Sequence, residues 1–210
     1  MRIYISKDAN KILIDYLMTF TKDIVYISKN GTYPAIDNHP DIRMCQIDNE
    51  VFMGDLNKIG YKYPDDIIYN GVCIGDYFIH NTKYTDKLLL AEIEKNNYKI
   101  INVKQGYTKC NVVPVGNTSL ITSDIGIAKA CSPYLDVLTI SNGNILLPGV
   151  NYGFIGGCSG MINDTIIFNG NLAKHPDYTK ILKFIESKGY KAKWFIEYEL
   201  TDIGSIIVEN

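Results

Sequence analysis

The chain has 210 residues, 46% of them hydrophobic and 21% charged, with 21 Lys and Arg against 23 Asp and Glu. That apolar share supports a core burying roughly 70% of the unfolded chain's surface, which excludes a disordered or fibrous chain. A net charge of −2 with no run of like sign excludes a polybasic face for nucleic acid, and no apolar stretch reaches the ~18 residues of a membrane span. Met1–Ile5 runs straight into a strand pattern without the apolar region of a signal peptide, so the expectation is one cytoplasmic domain over residues 1–210. Five cysteines with no CxxC spacing indicate reduced thiols, and neither a disulfide framework, a metal nor a cofactor is expected.

In chain order, the pattern predicts a strand at Arg2–Ser6 and then an amphipathic helix over Asp8–Phe20. Ile12, Leu13, Tyr16 and Leu17 share one face of that helix, and Asp8 or Asn10 caps it. Strands follow at Ile24–Ser28 and Arg43–Ile47, a loop at Asn57–Pro64, and strands at Asp66–Cys73 and Tyr77–Ile79. A second helix covers Asp86–Asn96 and leads to a strand at Lys99–Val103. Strands at Cys110–Val115 and Ser119–Thr122 precede a short helix at Gly126–Cys131, stopped by Ser132-Pro133. Strands at Asp136–Ile140 and Thr165–Phe168 come next. The third helix opens at His175-Pro176-Asp177, carries Ile181, Leu182, Phe184 and Ile185, and closes at Gly189; strands at Lys193–Tyr198 and Ser205–Val208 finish the chain.

The order repeats. Glu94–Lys99 superimposes on Glu186–Lys191 at an offset of 92 residues, aligning two helices, their turns and the strands after them. Ile79-His80-Asn81 then falls beside Phe168-Asn169-Gly170, and Thr122-Ser123-Asp124 holds the same place before the short helix. A strand with a cysteine near its middle opens each unit, at Cys45, Cys73, Cys110 and Cys158. The C-terminal Ile203–Ile206 supplies the opening strand that Arg2–Ser28 lacks. Joining the chain ends therefore yields five ββαβ-like units and closes an α/β ring without free sheet edges. The unit from Asp41 to about Ile68 is a reduced copy without a helix.

Five such units with the chain ends sharing one resembles the pentein fold of the guanidine-modifying enzymes. More narrowly, Asn102–Cys110, Ile121–Asp124 and Gly153–Gly160 followed by Asn169-Gly170 resemble an uncharacterised bacterial domain family of that fold. The resemblance implies a cysteine nucleophile near the C-terminus, a proton-transferring histidine and carboxylates for a cationic substrate. Here that C-terminal slot holds Ser205 or Gly204, so the usual mechanism lacks its thiolate.

Two loci remain. The opening-strand cysteines are small apolar residues for a crowded centre, with Cys110 the best placed to react because Lys109, Tyr107 and the polar Lys104-Gln105 flank it. The strand ends would gather His80, Asp124 and Asn169 at a central mouth, with Asp76 and Asp55 close by. There His80 serves as general base and Asp124 as its orienting carboxylate, unless Asp124 and Asn169 merely cap helices and turns. His39 and His175, each before Pro-Asp, read as turn openers. Gly153–Gly160 fits neither a Walker loop nor a dinucleotide fingerprint, and close backbone approach explains its glycines better. The first expectation is a binding module or lapsed enzyme for an amino-acid-like or guanidinium cation, with Asp76, Tyr107, Lys109 and Asn169 as ligand contacts. The alternatives are a Cys110-dependent hydrolase or transferase using His80 and Asp124, and a protein-interaction scaffold. Oligomeric state is not legible in the sequence.

Overall fold

The computed structural model describes residues 1–210 as a mixed α/β protein of five small sheets. In chain order these contain β1 (Arg2–Ser6), α1 (Lys11–Leu17), β2 (Ile24–Ile27), α2 (Pro40–Arg43), β3 (Met44–Ile47) and β4 (Glu50–Met53). Next come β5 (Val72–Ile74), β6 (Tyr77–His80), α3 (Lys87–Lys95), β7 (Lys99–Asn102), α4 (Thr108–Asn111), β8 (Val112–Val115), β9 (Ser119–Thr122) and α5 (Ile125–Cys131). The chain closes with β10 (Asp136–Thr139), β11 (Ser159–Ile162), β12 (Thr165–Phe168), α6 (Tyr178–Ser187), β13 (Lys191–Lys193) and β14 (Ile207–Glu209). No helix is long and apolar enough to cross a membrane.

Four sheets follow one plan. An opening strand pairs antiparallel with a middle strand, and the middle strand pairs parallel with a third after a helical crossover. The first of these sheets joins the chain ends: β14 lies antiparallel to β1 with Ile3 opposite Val208, and β1 is parallel to β2. The β3–β4 pair departs from that plan, with two strands followed by a single 3-10 turn at Leu56–Lys58.

The helices α1 and α6 each cover their own sheet. Leu13 and Leu17 of α1 pack on Ile3 and Ile5, and Ile181 and Ile185 of α6 pack on Ile166 and Phe168, all of them fully buried. Burial of each such side chain contributes about 1.5–3 kcal/mol. The starts are capped locally: Asn10 accepts from the Ile12 N–H, Asp86 from those of Leu88 and Leu89, and Asp124 from that of Ile127.

Hydrogen bonds also link the segments that lead into the five opening strands. The Asp41 N–H donates to Gly204 O, the Asn70 side-chain amide to Asp41 O, and the Lys109 N–H to Asn70 O. The Gly157 N–H donates to Cys110 O and the Ser205 N–H to Gly157 O, so the links return to the segment where they began.

Several expected boundaries move. Residues 194–198 leave the sheet because β13 matches β12 only from Lys191 to Lys193; the Phe195 N–H then bonds Gly170 O, and its ring stacks on Tyr198. Only Val72 and Cys73 of Asp66–Cys73 are in a strand, the preceding residues turning to deliver Asn70. Cys110 belongs to α4 and not to a strand, the opening strand expected around Cys158 starts one residue after it as β11, and β4 was not expected. The four opening cysteines therefore fall in two registers: Cys45 and Cys73 are second residues of β3 and β5, whereas Cys110 and Cys158 precede β8 and β11. A one-residue slip also corrects the repeat, since His80 ends β6 where Phe168 ends β12 and the partner of Asn169 is Asn81. The glycines before β11 do reflect close approach. A Cβ on Gly156 would stand 2.3 Å from Lys109 O, and one on Gly157 2.1 Å from an Asp202 carboxylate oxygen.

Candidate active site

Three segments deliver side chains to one pocket of about 290 Å³: His39 just before α2, Cys110 within α4, and Asp202 ahead of β14. The turn of α4 is set by its own side chains. Gln105 accepts from the Tyr107 N–H, Thr108 Oγ1 donates to Gln105 O, and the Asn111 amide donates to Tyr107 O. Asn70 Oδ1 accepts from the backbone N–H of Lys109 at 2.9 Å and fixes the turn against the neighbouring sheet. His39 lies across Gly204, where an added Cβ would meet the His39 Cβ at 2.2 Å; Gly204 also has φ +71, which an L side chain strains to adopt.

His39, Cys110 and Asp202 are all nearly fully buried and form the inner end of the pocket, with Tyr33, Tyr107, Tyr152 and Phe154 among its walls. The Tyr107 hydroxyl donates to Asp66 Oδ2 at 2.7 Å, which holds that wall in place. Phe154 lies between Tyr107 and Tyr152, with ring centroids 6.4 and 6.2 Å away. Apolar walls around a few convergent polar groups are the usual composition of a small-molecule site.

Behind the pocket lies a hydrogen-bonded line of buried groups. The Cys110 thiol donates to Asp41 Oδ2 at 3.1 Å and Ser205 Oγ donates to the same oxygen at 2.8 Å. Lys109 Nζ donates to Ser205 Oγ at 3.0 Å. The Asp202 carboxylate accepts from the N–H groups of Phe154 and Gly204 at 2.9 and 3.0 Å. His39 Nδ1 has no hydrogen-bond partner, as is true of Asp41 Oδ1. His39 Nδ1 lies 3.8 Å from Asp202 Oδ1, too far for a hydrogen bond.

Burial dominates the ionisation of every member. It lowers the His39 imidazole to about 4, against the pull of Asp41, so the ring is neutral at pH 7 and forms no ion pair with Asp202. It raises Asp202 to about 6 although two backbone N–H groups favour the carboxylate. Burial likewise raises Asp41, holds the Cys110 thiol well above the usual thiol range, and lowers Lys109. Burial thus shifts both acids, Asp41 and Asp202, and the one amine, Lys109, toward their neutral forms.

Of the residues singled out from the sequence, Cys110 and Tyr107 meet in this pocket. Lys109 faces a different cavity from its neighbour Cys110. His80 makes no hydrogen bond to Cys110: its ring is buried, with Nδ1 2.7 Å from Thr85 Oγ1 and Nε2 3.1 Å from Gly106 O, so both nitrogens are occupied. Asp124 caps α5 and accepts from the Gln105 amide, and Asp76 is exposed in the β5–β6 hairpin turn. Asn169 braces a loop by donating to Thr201 O and accepting from the Tyr198 hydroxyl. His39, Asp41 and Asp202 were missed. The available signal was positional, because a polar residue (Asp41, Asn70, Lys109 or Ser205) stands two or three places before four of the opening strands.

Fold and site together define an α/β protein whose five small sheets meet at a cluster of buried polar groups beneath an aromatic-walled pocket. Residues 52–207 match the model of a family of unknown function, DUF6873, and the chain belongs to that family. No curated protein and no solved structure matches the chain.

Proposed function

We propose that the five sheets form a pentein-like fivefold ring and that its aromatic-walled pocket binds a small planar cation of the guanidinium or amidinium type. The antiparallel pairing of β14 with β1 and the circuit of hydrogen bonds from Asp41 through Asn70, Lys109, Gly157 and Ser205 support the ring. The observation that carries the ligand class is Asp202, a buried carboxylate among aromatic faces. Its oxygens keep free lone pairs beyond the two backbone N–H bonds, and a planar cation engages them while stacking on a ring face.

The test is thermal unfolding in the presence of agmatine and arginine. A ligand at 100 times its Kd stabilises the protein by about 2.7 kcal/mol. Asp202→Asn removes the negative charge, and the ligand-induced shift disappears with it. No response in the wild type, or an undiminished response in the variant, refutes the assignment.

One observation favours catalysis at the same pocket: the Cys110 thiol already points its proton at Asp41. A bound cation favours the thiolate, Asp41 takes the proton, and the sulfur adds to the guanidinium carbon as the C=N π pair moves onto nitrogen; Asp41 returns the proton to an amino group of the adduct, which leaves as ammonia, and water then cleaves the C–S bond to release a urea and the free thiol. Product release from agmatine together with a mass adduct on Cys110 supports this second reading. Binding without either outcome leaves the protein a binding module.

A further inference from the structure

A second cavity of about 510 Å³ lies beyond the buried polar line, among the hairpin turns that follow β3, β5, β8 and β11. Gln46, Asn49, Asn117, Asn163 and Ser159 contribute polar side chains to it. Lys109 also lines it while only 8% exposed. Its ammonium has three donors and makes one hydrogen bond, to Ser205 Oγ, and no carboxylate lies within ion-pair distance. The Ser205 hydroxyl stands between the ammonium and Asp41, so the two make no direct contact. A buried ammonium without a contacting anion is costly, and two of its three N–H groups remain without a partner.

We propose that this cavity is a binding site for small carboxylates, anchored by Lys109 and completed by the side-chain amides of Asn117 and Asn163. One ammonium matches the single charge of a carboxylate group, and the amides offer neutral donors that complete its hydrogen bonds. Asp48 is the one acidic side chain in the lining. The site is separate from the aromatic pocket, because Lys109 and Cys110 line different cavities.

Thermal unfolding with sodium acetate, sodium succinate and sodium phosphate, each at fixed ionic strength made up with sodium chloride, tests the proposal. Acetate and succinate produce a saturable rise in Tm, and Lys109→Met abolishes it. Since Lys109 is buried, Asn163→Asp provides an independent arm. Asn163 is exposed on a hairpin with φ +54, a conformation that Asp tolerates, and a charge there weakens carboxylate affinity about fivefold. Absence of a saturable response to both carboxylates overturns the site. A response that is the same in both variants overturns the anchoring by Lys109, and saturation by phosphate alone overturns the ligand class.

Discussion

His80 offers the sharpest separation between a catalytic and a structural histidine. Burial holds its imidazole at about 4, against an ordinary value of 6.5, and its two nitrogens are spent on Thr85 and Gly106. A histidine whose folded pKa is depressed stabilises the fold above the unfolded value, and that stability is lost as pH falls from about 6.5 through 4. The 2.5-unit difference corresponds to about 3 kcal/mol. His80→Gln removes the titrating group while keeping an N–H donor for Gly106 O. Urea unfolding between pH 7.5 and pH 4 should show the wild type losing about 3 kcal/mol more than the variant over that window, while the agmatine response at pH 7.5 is unchanged. Identical pH slopes for the two proteins, or a His80 ring proton that titrates near 6.5, would refute the reasoning. His39 contributes with the same sign and is present in both proteins, so the comparison isolates His80.

Asp124→Ala deletes the α5 cap and should cost about 1 kcal/mol in urea unfolding without altering the ligand response. Gly156→Ala drives a methyl group into the carbonyls of Lys109 and Val112 and should lower stability by about 1–3 kcal/mol or more, measured the same way; a neutral effect would contradict the close approach. The Cys110 thiol, buried and held protonated beside Asp41, should react with iodoacetamide at pH 7 more slowly than free cysteine when no ligand is present, as followed by mass spectrometry.

The longer helices were legible because their signals are local. The Asp86 cap, the Ile181–Ile185 stripe and the Gly189 stop each identify their element without tertiary information. The sequence carried less about short elements. β4, with Glu50 and Met53 exposed, has no clean apolar alternation to mark it, and α4 is a four-residue turn whose geometry depends on Asn70 from another sheet. The same cause hid the site. His39, Asp41 and Asp202 are unremarkable near Pro or Gly, where a local reading assigns them to turns, and two of them do shape turns: His39 precedes α2, while Asp202 accepts from the Gly204 N–H. Their second role exists only where three distant segments converge.

That convergence also explains how adjacent residues serve opposite sides of the molecule. A strand would send Lys109 and Cys110 to opposite faces by simple alternation, but α4 is helical, and successive helical side chains are separated by about 100°. The separation is held because Ser205 and Asp41 bridge the two side chains by hydrogen bonds. Ser205 manages this from φ +72, a conformation unfavourable to a non-glycine residue, with Gly156 O 3.1 Å away as the alternative acceptor for its one proton. One hydroxyl at a strained position, accepting from Lys109 and donating to Asp41, holds the ammonium on one side and the thiol on the other, joined through a single carboxylate. Removing that hydroxyl with Ser205→Ala leaves Lys109 and Asp41 each short of a buried partner, at a cost of about 1–3 kcal/mol or more, whereas a surface serine would cost almost nothing.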